Sequence, residues 1–292
     1  MVWQRMNRAI SGVWSVICPI GIYFVVINGI SIVLTMVVTG ITGEYMEHYM
    51  MIHTLASGIT IPFLYRYYVQ DQQEETVFWK RLSKIYQSKG KNERRTDSFL
   101  MFLLGAAAGI AVNNAILMTG LMERSEGFRQ VNENFFAGSV GFEILGACMV
   151  TPFLEELLYR GLVYPRLCDL VITEELERTR QRKAALLKGI CMICSGLVFG
   201  AMHGNLVQFF YASVLGILLA WLTEQAGGWQ GAFFAHAGAN FMAVLRADTE
   251  LFCRMGENAR NLAISAVMSA AAASVLILII GLRGKDKAEG KG

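Results

Sequence analysis

The sequence predicts an all-α membrane protein, a polytopic bundle of about eight transmembrane helices with both termini in the cytoplasm. Of its 292 residues, 54% are hydrophobic and 17% are charged, whereas a soluble domain has roughly 25% charged residues. The apolar residues form blocks long enough to cross a bilayer. About four in five of the 26 Lys and Arg residues fall on the side of the two termini, and the positive-inside rule assigns that side to the cytoplasm. A soluble protein is excluded, and residues 1–292 are predicted to form one integral-membrane domain.

The helices were placed by the length of their apolar windows. Polar residues occur in the second span and in the fourth to seventh, so these helices are expected to face one another or a cavity. The polar cytoplasmic segment 70–97 is predicted to fold as a helical extension or a surface helix. Residues 174–183 are expected to form a charged helix that leads into the fifth span. The predicted spans are 13–39, 46–69, 98–122, 137–159, 184–204, 206–223, 229–247 and 262–282.

Several residues are assigned to packing. His48 and His53 are five residues apart, so they do not share a helix face and are expected to pack in the interior. Two pairs of glycines permit close approach of helices: Gly105 with Gly109, and Gly196 with Gly200. Most cysteines lie in apolar segments, where a free thiol behaves as a small hydrophobic group; they are Cys18, Cys148, Cys168, Cys191, Cys194 and Cys253.

Two adjacent carboxylates end the strongly apolar fourth span. Glu156 and Arg160 are four residues apart, so they share a helix face and are expected to form an ion pair. Glu155 points about 100° away from that face. Ionisable groups inside a membrane are costly, so each needs a partner or a function. This core, about residues 137–247, contains the candidate site.

Two further polar clusters lie in the same core. Phe199 and His203 end the fifth span, while His236 and Asn240 share one face of the seventh. Two neutral imidazoles and a carboxylate are able to hold a metal ion or to activate a water for attack on a carbonyl. Without a metal, Glu155 would be the general base, and His236 or Asn240 would stabilise the oxyanion. From the residues alone, catalysis, transport and interhelical packing all stay open.

The chain resembles the CPBP (Abi) family in three motifs that occur in the family's order on successive hydrophobic helices. That family contains the type II CAAX prenyl endopeptidases together with bacteriocin-processing and immunity relatives. The resemblance covers about Phe142 to Arg246 and leaves the first helices unmatched. The three motifs are Glu155-Glu156-xxx-Arg160, Phe199-xxx-His203 and His236-xxx-Asn240.

The resemblance implies an intramembrane endopeptidase similar to CAAX prenyl protease 2, acting on membrane-embedded or lipid-anchored peptides in a bacterial cell membrane. Glu155 would activate the water. A divalent metal such as zinc, held by Glu155, His203 and His236, and a metal-free mechanism both stay open. A non-proteolytic immunity factor, scaffold or transporter on the same fold also stays open. No nucleic-acid partner is expected. The candidate catalytic residues are Glu155, Glu156, His203, His236 and Asn240, with Arg160 and Phe199 in support.

A single site requires its residues to lie at one depth in the bilayer. At 1.5 Å per residue from the cytoplasmic helix ends, Glu155 and His236 lie about 10 Å deep, but His203 lies about 20 Å deep. The fourth helix is therefore expected to extend past Tyr164. The fifth helix is expected to start late or to tilt strongly.

Overall fold

The computed structural model describes residues 2–74, 76–248 and 258–288, and these residues contain helices and no strand. The prediction of an all-α polytopic bundle is confirmed. Residues 146–150 and 159–163 form π-helical turns inside the long helix α7. The helices are α1 Val2–Thr42, α2 Tyr49–Gln73, α3 Val77–Ser88, α4 Lys91–Met118, α5 Leu121–Arg124, α6 Glu126–Phe135, α7 Val140–Val171, α8 Glu174–Thr179, α9 Gln181–Ala201, α10 Leu206–Ala226, α11 Gln230–Asp248 and α12 Ala259–Ala288.

Five of the described helices are long and apolar enough to cross a membrane: α1, α4, α9, α10 and α12. The number rises to six if α6 and α7, which are bent by 111° at their junction, form one broken span. Two other predicted spans form as α2 and α11, but they do not pass the same apolar criterion. Each carries a histidine near the glutamates of α7: His53 on α2 and His236 on α11. The count of about eight spans and the side of the termini stay predictions.

The long helix α7 brings the predicted residues toward one site. It continues to Val171, so the expectation that it extends past Tyr164 is confirmed. The fifth helix was expected to start late or to tilt strongly; α9 begins at Gln181, so it does not start late, and its tilt stays a prediction. The charged helix α8, predicted for residues 174–183, ends at Thr179, two residues before α9 begins. His203 lies just beyond the last residue of α9.

Glycines allow the central helices to touch at the backbone. A Cβ atom placed on Gly105 of α4 would lie 1.7 Å from the carbonyl oxygen of Ala235 on α11. A Cβ on Gly200 of α9 would lie 2.1 Å from Ser213 Oγ on α10. Both predicted glycine pairs therefore mark close helix contacts, which hold α4 on α11 and α9 on α10.

The segment predicted as a cytoplasmic surface helix forms α3. Its residues Phe78, Trp79 and Leu82 are buried against the bundle. Arg81 of the same helix donates to Glu224 on α10 at 2.7 Å, and Tyr164 on α7 donates to that carboxylate at 2.9 Å. The surface helix is thus attached to two bundle helices, α7 and α10.

The described cysteines are free thiols, in line with their assignment to packing. Cys253 lies outside the described residues. The free cysteines are Cys18, Cys148, Cys168, Cys191 and Cys194.

Candidate active site

The two glutamates lie on α7 between its π-helical turns. A π turn inserts one residue into an α-helix and changes the direction of the side chains that follow it. The first turn includes Ala147, whose carbonyl oxygen accepts a hydrogen bond from Asn240 Nδ2 at 2.7 Å. The second turn includes Arg160. The turns therefore place an amide from α11 on one side of the carboxylates and a guanidinium on the other.

Glu156 is completely buried and held by two basic side chains. Arg160 Nη1 donates to Glu156 Oε1 at 3.0 Å, which confirms the predicted ion pair. Arg160 is also completely buried and donates from Nη2 to the carbonyl oxygen of Gly216 at 2.9 Å. Its guanidinium lies 4.7 Å from the centre of the Phe199 ring. A buried guanidinium needs a partner of this kind, and Glu156 supplies it.

His236 connects the two glutamates. Its Nδ1 lies 2.8 Å from the same Oε1 atom of Glu156. Its Nε2 lies 3.8 Å from Glu155 Oε2. The same Oε1 atom accepts from Arg160, so the tautomer that fits this geometry carries its proton on Nδ1 and donates it to Glu156. In the neutral imidazole, Nε2 then presents a lone pair toward Glu155.

The carboxylate of Glu155 differs from that of its neighbour. It is partly accessible, with 14% of the side chain exposed, and it has no direct hydrogen bond to another side chain in the described part of the protein. Tyr23 on α1 and His53 on α2 interact with it electrostatically. Glu155 is therefore free to bind a water or a substrate group, whereas Glu156 is not.

Phe199 brings His203 into the same cluster. His203 Nδ1 pairs with the backbone carbonyl oxygen of Phe199 at 2.9 Å, and the two rings meet edge to face with centres 5.0 Å apart. The Phe199 ring also meets the His236 ring edge to face, at 5.7 Å. Both predicted imidazoles thus contact one phenyl ring, while only His236 faces Glu155 directly.

This arrangement can be compared with known protein families. Residues 138–242 match the model of the family described as type II CAAX prenyl endopeptidase Rce1-like. Residues 138–242 are called the CAAX endopeptidase domain below, after the family that they match. No curated protein and no solved structure matches the chain.

The CAAX endopeptidase domain comprises all of α7, then α8 to α10 and about two-thirds of α11, and it carries every predicted site residue. Helices α1 to α6 and α12 lie outside the matched residues. The family assignment made from the three motifs is confirmed. The roles of the individual residues stay predictions, which the geometry supports to different degrees.

A metal ion at this site would need Glu155, His203 and His236 as ligands. A catalytic zinc usually has three protein ligands and one open position. Among the residues that the structure describes, no three His, Cys, Asp or Glu side chains are grouped to hold a metal ion. The set Glu155, His203 and His236 does not form a ready-made three-ligand centre. Metal dependence stays a prediction.

The sequence did not indicate that one residue near the site, His53, belongs there. His53 Nδ1 lies 3.4 Å from Thr151 Oγ1, one helical turn before Glu155. His53 was expected to pack in the interior, and its partner is 98 residues away along the chain. The four-residue spacing of Thr151 and Glu155 was the only available signal, and it does not indicate which helix would supply the contact.

Proposed function

We propose that this protein is an intramembrane endopeptidase that hydrolyses a peptide bond of a membrane-associated, lipidated CAAX-type substrate with a water activated by Glu155. The observation that carries the proposal is the 3.8 Å separation of His236 Nε2 and Glu155 Oε2. That distance is too long for a direct hydrogen bond and suits a water that bridges the two atoms.

A water between His236 Nε2 and Glu155 Oε2 would be polarised by both atoms. With Nδ1 protonated by its bond to Glu156, His236 Nε2 accepts one water hydrogen, and the Glu155 carboxylate accepts the other. The water oxygen then presents its lone pairs to a substrate carbonyl. Such positioning of a general base within hydrogen-bonding reach is what proton abstraction requires.

The hydrolytic step follows from this geometry. The water oxygen bonds to the carbonyl carbon while its proton passes to Glu155, and the carbonyl oxygen becomes an oxyanion. Asn240 gives one amide hydrogen to Ala147 and keeps a second, which is a candidate donor to the oxyanion. Glu155 then returns the proton to the amine nitrogen as the C–N bond breaks. A carboxylic acid and an amine are released.

The protein would act on peptides that lie in or at the membrane. Its site is carried by helices of a membrane bundle, and its CAAX endopeptidase domain supports a substrate that is anchored by a lipid chain. A bacterial cell membrane is the proposed location. The alternative function is a non-proteolytic immunity factor, scaffold or transporter, which would need neither a free Glu155 nor a water position.

The experiment compares wild type, Glu155→Gln and His236→Ala in proteoliposomes with a farnesylated peptide that ends in a CAAX sequence. Glu175→Gln serves as the matched control, because Glu175 is exposed on α8. We expect wild type and the control to release the C-terminal tripeptide and the two site variants to lose that activity. Intact peptide with wild type would contradict the proposal. Treatment with a chelator, followed by addition of zinc, measures metal dependence in the same assay.

A further inference from the structure

Helix α2 packs directly along the glutamate helix although it lies outside the CAAX endopeptidase domain. A Cβ atom on Gly146 of α7 would lie 2.2 Å from Thr54 Oγ1 and 3.0 Å from Met50 Cε, both on α2. The absence of a side chain at Gly146 therefore allows close contact. This contact fixes the register of α2 against the turn of α7 that precedes the glutamates.

The fixed register places one imidazole beside the glutamate helix. His53 Nδ1 lies 3.4 Å from Thr151 Oγ1, within hydrogen-bonding reach. On its other side, the His53 ring stacks against Tyr49, with ring centres 6.2 Å apart and an interplanar angle of 26°. His53 is thus held between a residue of its own helix and a residue of α7.

Thr151 and Glu155 are four residues apart, so they lie on one face of α7. The imidazole of His53 also interacts electrostatically with the Glu155 carboxylate. That carboxylate lacks a direct hydrogen bond to any other side chain that the structure describes. Its direction therefore depends on the groups around it: His236 Nε2 lies 3.8 Å away on α11, and His53 on α2 interacts with it electrostatically.

We propose that His53 is a positioning residue, which orients the Glu155 carboxylate toward the water through its contact with Thr151 on the same face of α7. This inference rests on the proposed function and adds to the site a residue from outside the CAAX endopeptidase domain. It gives α2 a role in the chemistry. His53 would act on the geometry of the base and would not contact the substrate.

The kinetic test uses the farnesylated CAAX peptide as the probe. A loss of orientation at a catalytic group costs about 10- to 100-fold in rate, so His53→Leu should lower kcat by about that factor with little change in KM. His53→Asn keeps a polar atom near the position of Nδ1 and should retain most of the activity. His48→Leu is the control, since among the described residues no side-chain hydrogen bond, ion pair or ring contact joins His48 to α7.

A double-mutant cycle separates positioning from general damage. Thr151→Val should lower kcat as His53→Leu does, and the double variant should be no worse than either single variant, because both remove one interaction. Additive losses, or a His53→Leu variant with unchanged kcat, would overturn the proposal. Thermal unfolding of each variant verifies that the compared proteins are folded.

A second measurement does not depend on cleavage. The chain has four histidines, so the ring nitrogens of labelled protein are resolvable by NMR in detergent, and His53→Asn assigns the His53 signals. Glu155→Gln and Thr151→Val should both shift these signals, and Glu175→Gln should not. If the His53 signals respond to neither change, the inference is wrong. If they respond and wild type leaves the probe intact, the His53–Glu155 coupling is supported and the proteolytic function is contradicted.

Discussion

The imidazole nitrogen Nδ1 of His236 lies 2.8 Å from Oε1 of Glu156. The same oxygen also accepts a hydrogen bond from Arg160 Nη1. Glu156 is thus fixed by one group from its own helix and one from α11. It orients the histidine in the way that a second carboxylate orients a catalytic or metal-bound imidazole in other enzymes. The adjacent glutamates therefore have separate roles: Glu156 holds His236, and His236 faces Glu155.

Replacement of Glu156 should damage both stability and rate. Glu156→Gln leaves the buried Arg160 without its counter-charge, and removal of one member of a buried ion pair costs about 3–5 kcal/mol. The loss of His236 orientation should lower kcat by a further factor of about 10 to 100. Thermal unfolding in detergent and cleavage of the farnesylated probe measure the two effects. A fully stable Glu156→Gln protein would contradict the assigned role.

Removal of both charges of the Glu156–Arg160 pair should restore stability but not cleavage of the probe. A buried ion pair can often be replaced by apolar residues of similar size at little cost in stability. We therefore expect Glu156→Leu with Arg160→Met to be more stable than either single variant, as judged by the unfolding midpoint. Its cleavage rate should stay low, because His236 has lost its partner. A double variant as unstable as the sum of the singles would show that the pair is not coupled.

Asn240 offers a prediction about the oxyanion. Asn240→Ala removes the donor that bonds to Ala147 and the second amide hydrogen. Removal of a single oxyanion donor typically lowers kcat by about 100- to 1000-fold. KM for the farnesylated probe should change much less, since the oxyanion exists only after attack. An unchanged kcat would exclude Asn240 from the reaction and leave it a structural link between α11 and α7.

A side-chain atom added at Gly105 should destabilise the contact of α4 with α11. Gly105→Ala would place a methyl group 1.7 Å from the Ala235 carbonyl oxygen, and overpacking of this kind costs about 1–3 kcal/mol. Gly21→Ala on α1 is the control, because no atom lies within 4 Å of the added Cβ. The unfolding midpoint should fall for Gly105→Ala and stay the same or rise for Gly21→Ala. Equal effects would contradict the packing described here.

Local spacing predicted the parts of the site that lie on one helix. The Glu156–Arg160 pair follows from a separation of four residues, which brings side chains together in any α-helix. The bond between His236 and Glu156 joins residues 80 positions apart, and no periodic pattern in the sequence encodes such a contact. The family motifs indicated that these residues belong together, but they did not indicate which glutamate the histidine would contact.

The depth of the site could be predicted only in part. The need for one depth correctly implied a long fourth helix, since a helix that stopped near Tyr164 would be too short. The π turns that include Ala147 and Arg160 left no signal in the sequence, because a one-residue insertion changes no apolar pattern visible over a short window. The apolar window placed α9 to within three residues, at 184–204 against Gln181–Ala201, but it did not indicate how the site's residues reach one depth.

The most direct test of the account is the single-turnover rate of Glu155→Gln, measured on the farnesylated probe at a temperature where variant and wild type are both folded. Loss of a general base costs about 100- to 10,000-fold. The account predicts a fall in rate within this range and an unfolding midpoint close to that of wild type, because Glu155 holds no structural hydrogen bond. A variant that cleaves the probe at the wild-type rate would contradict the account.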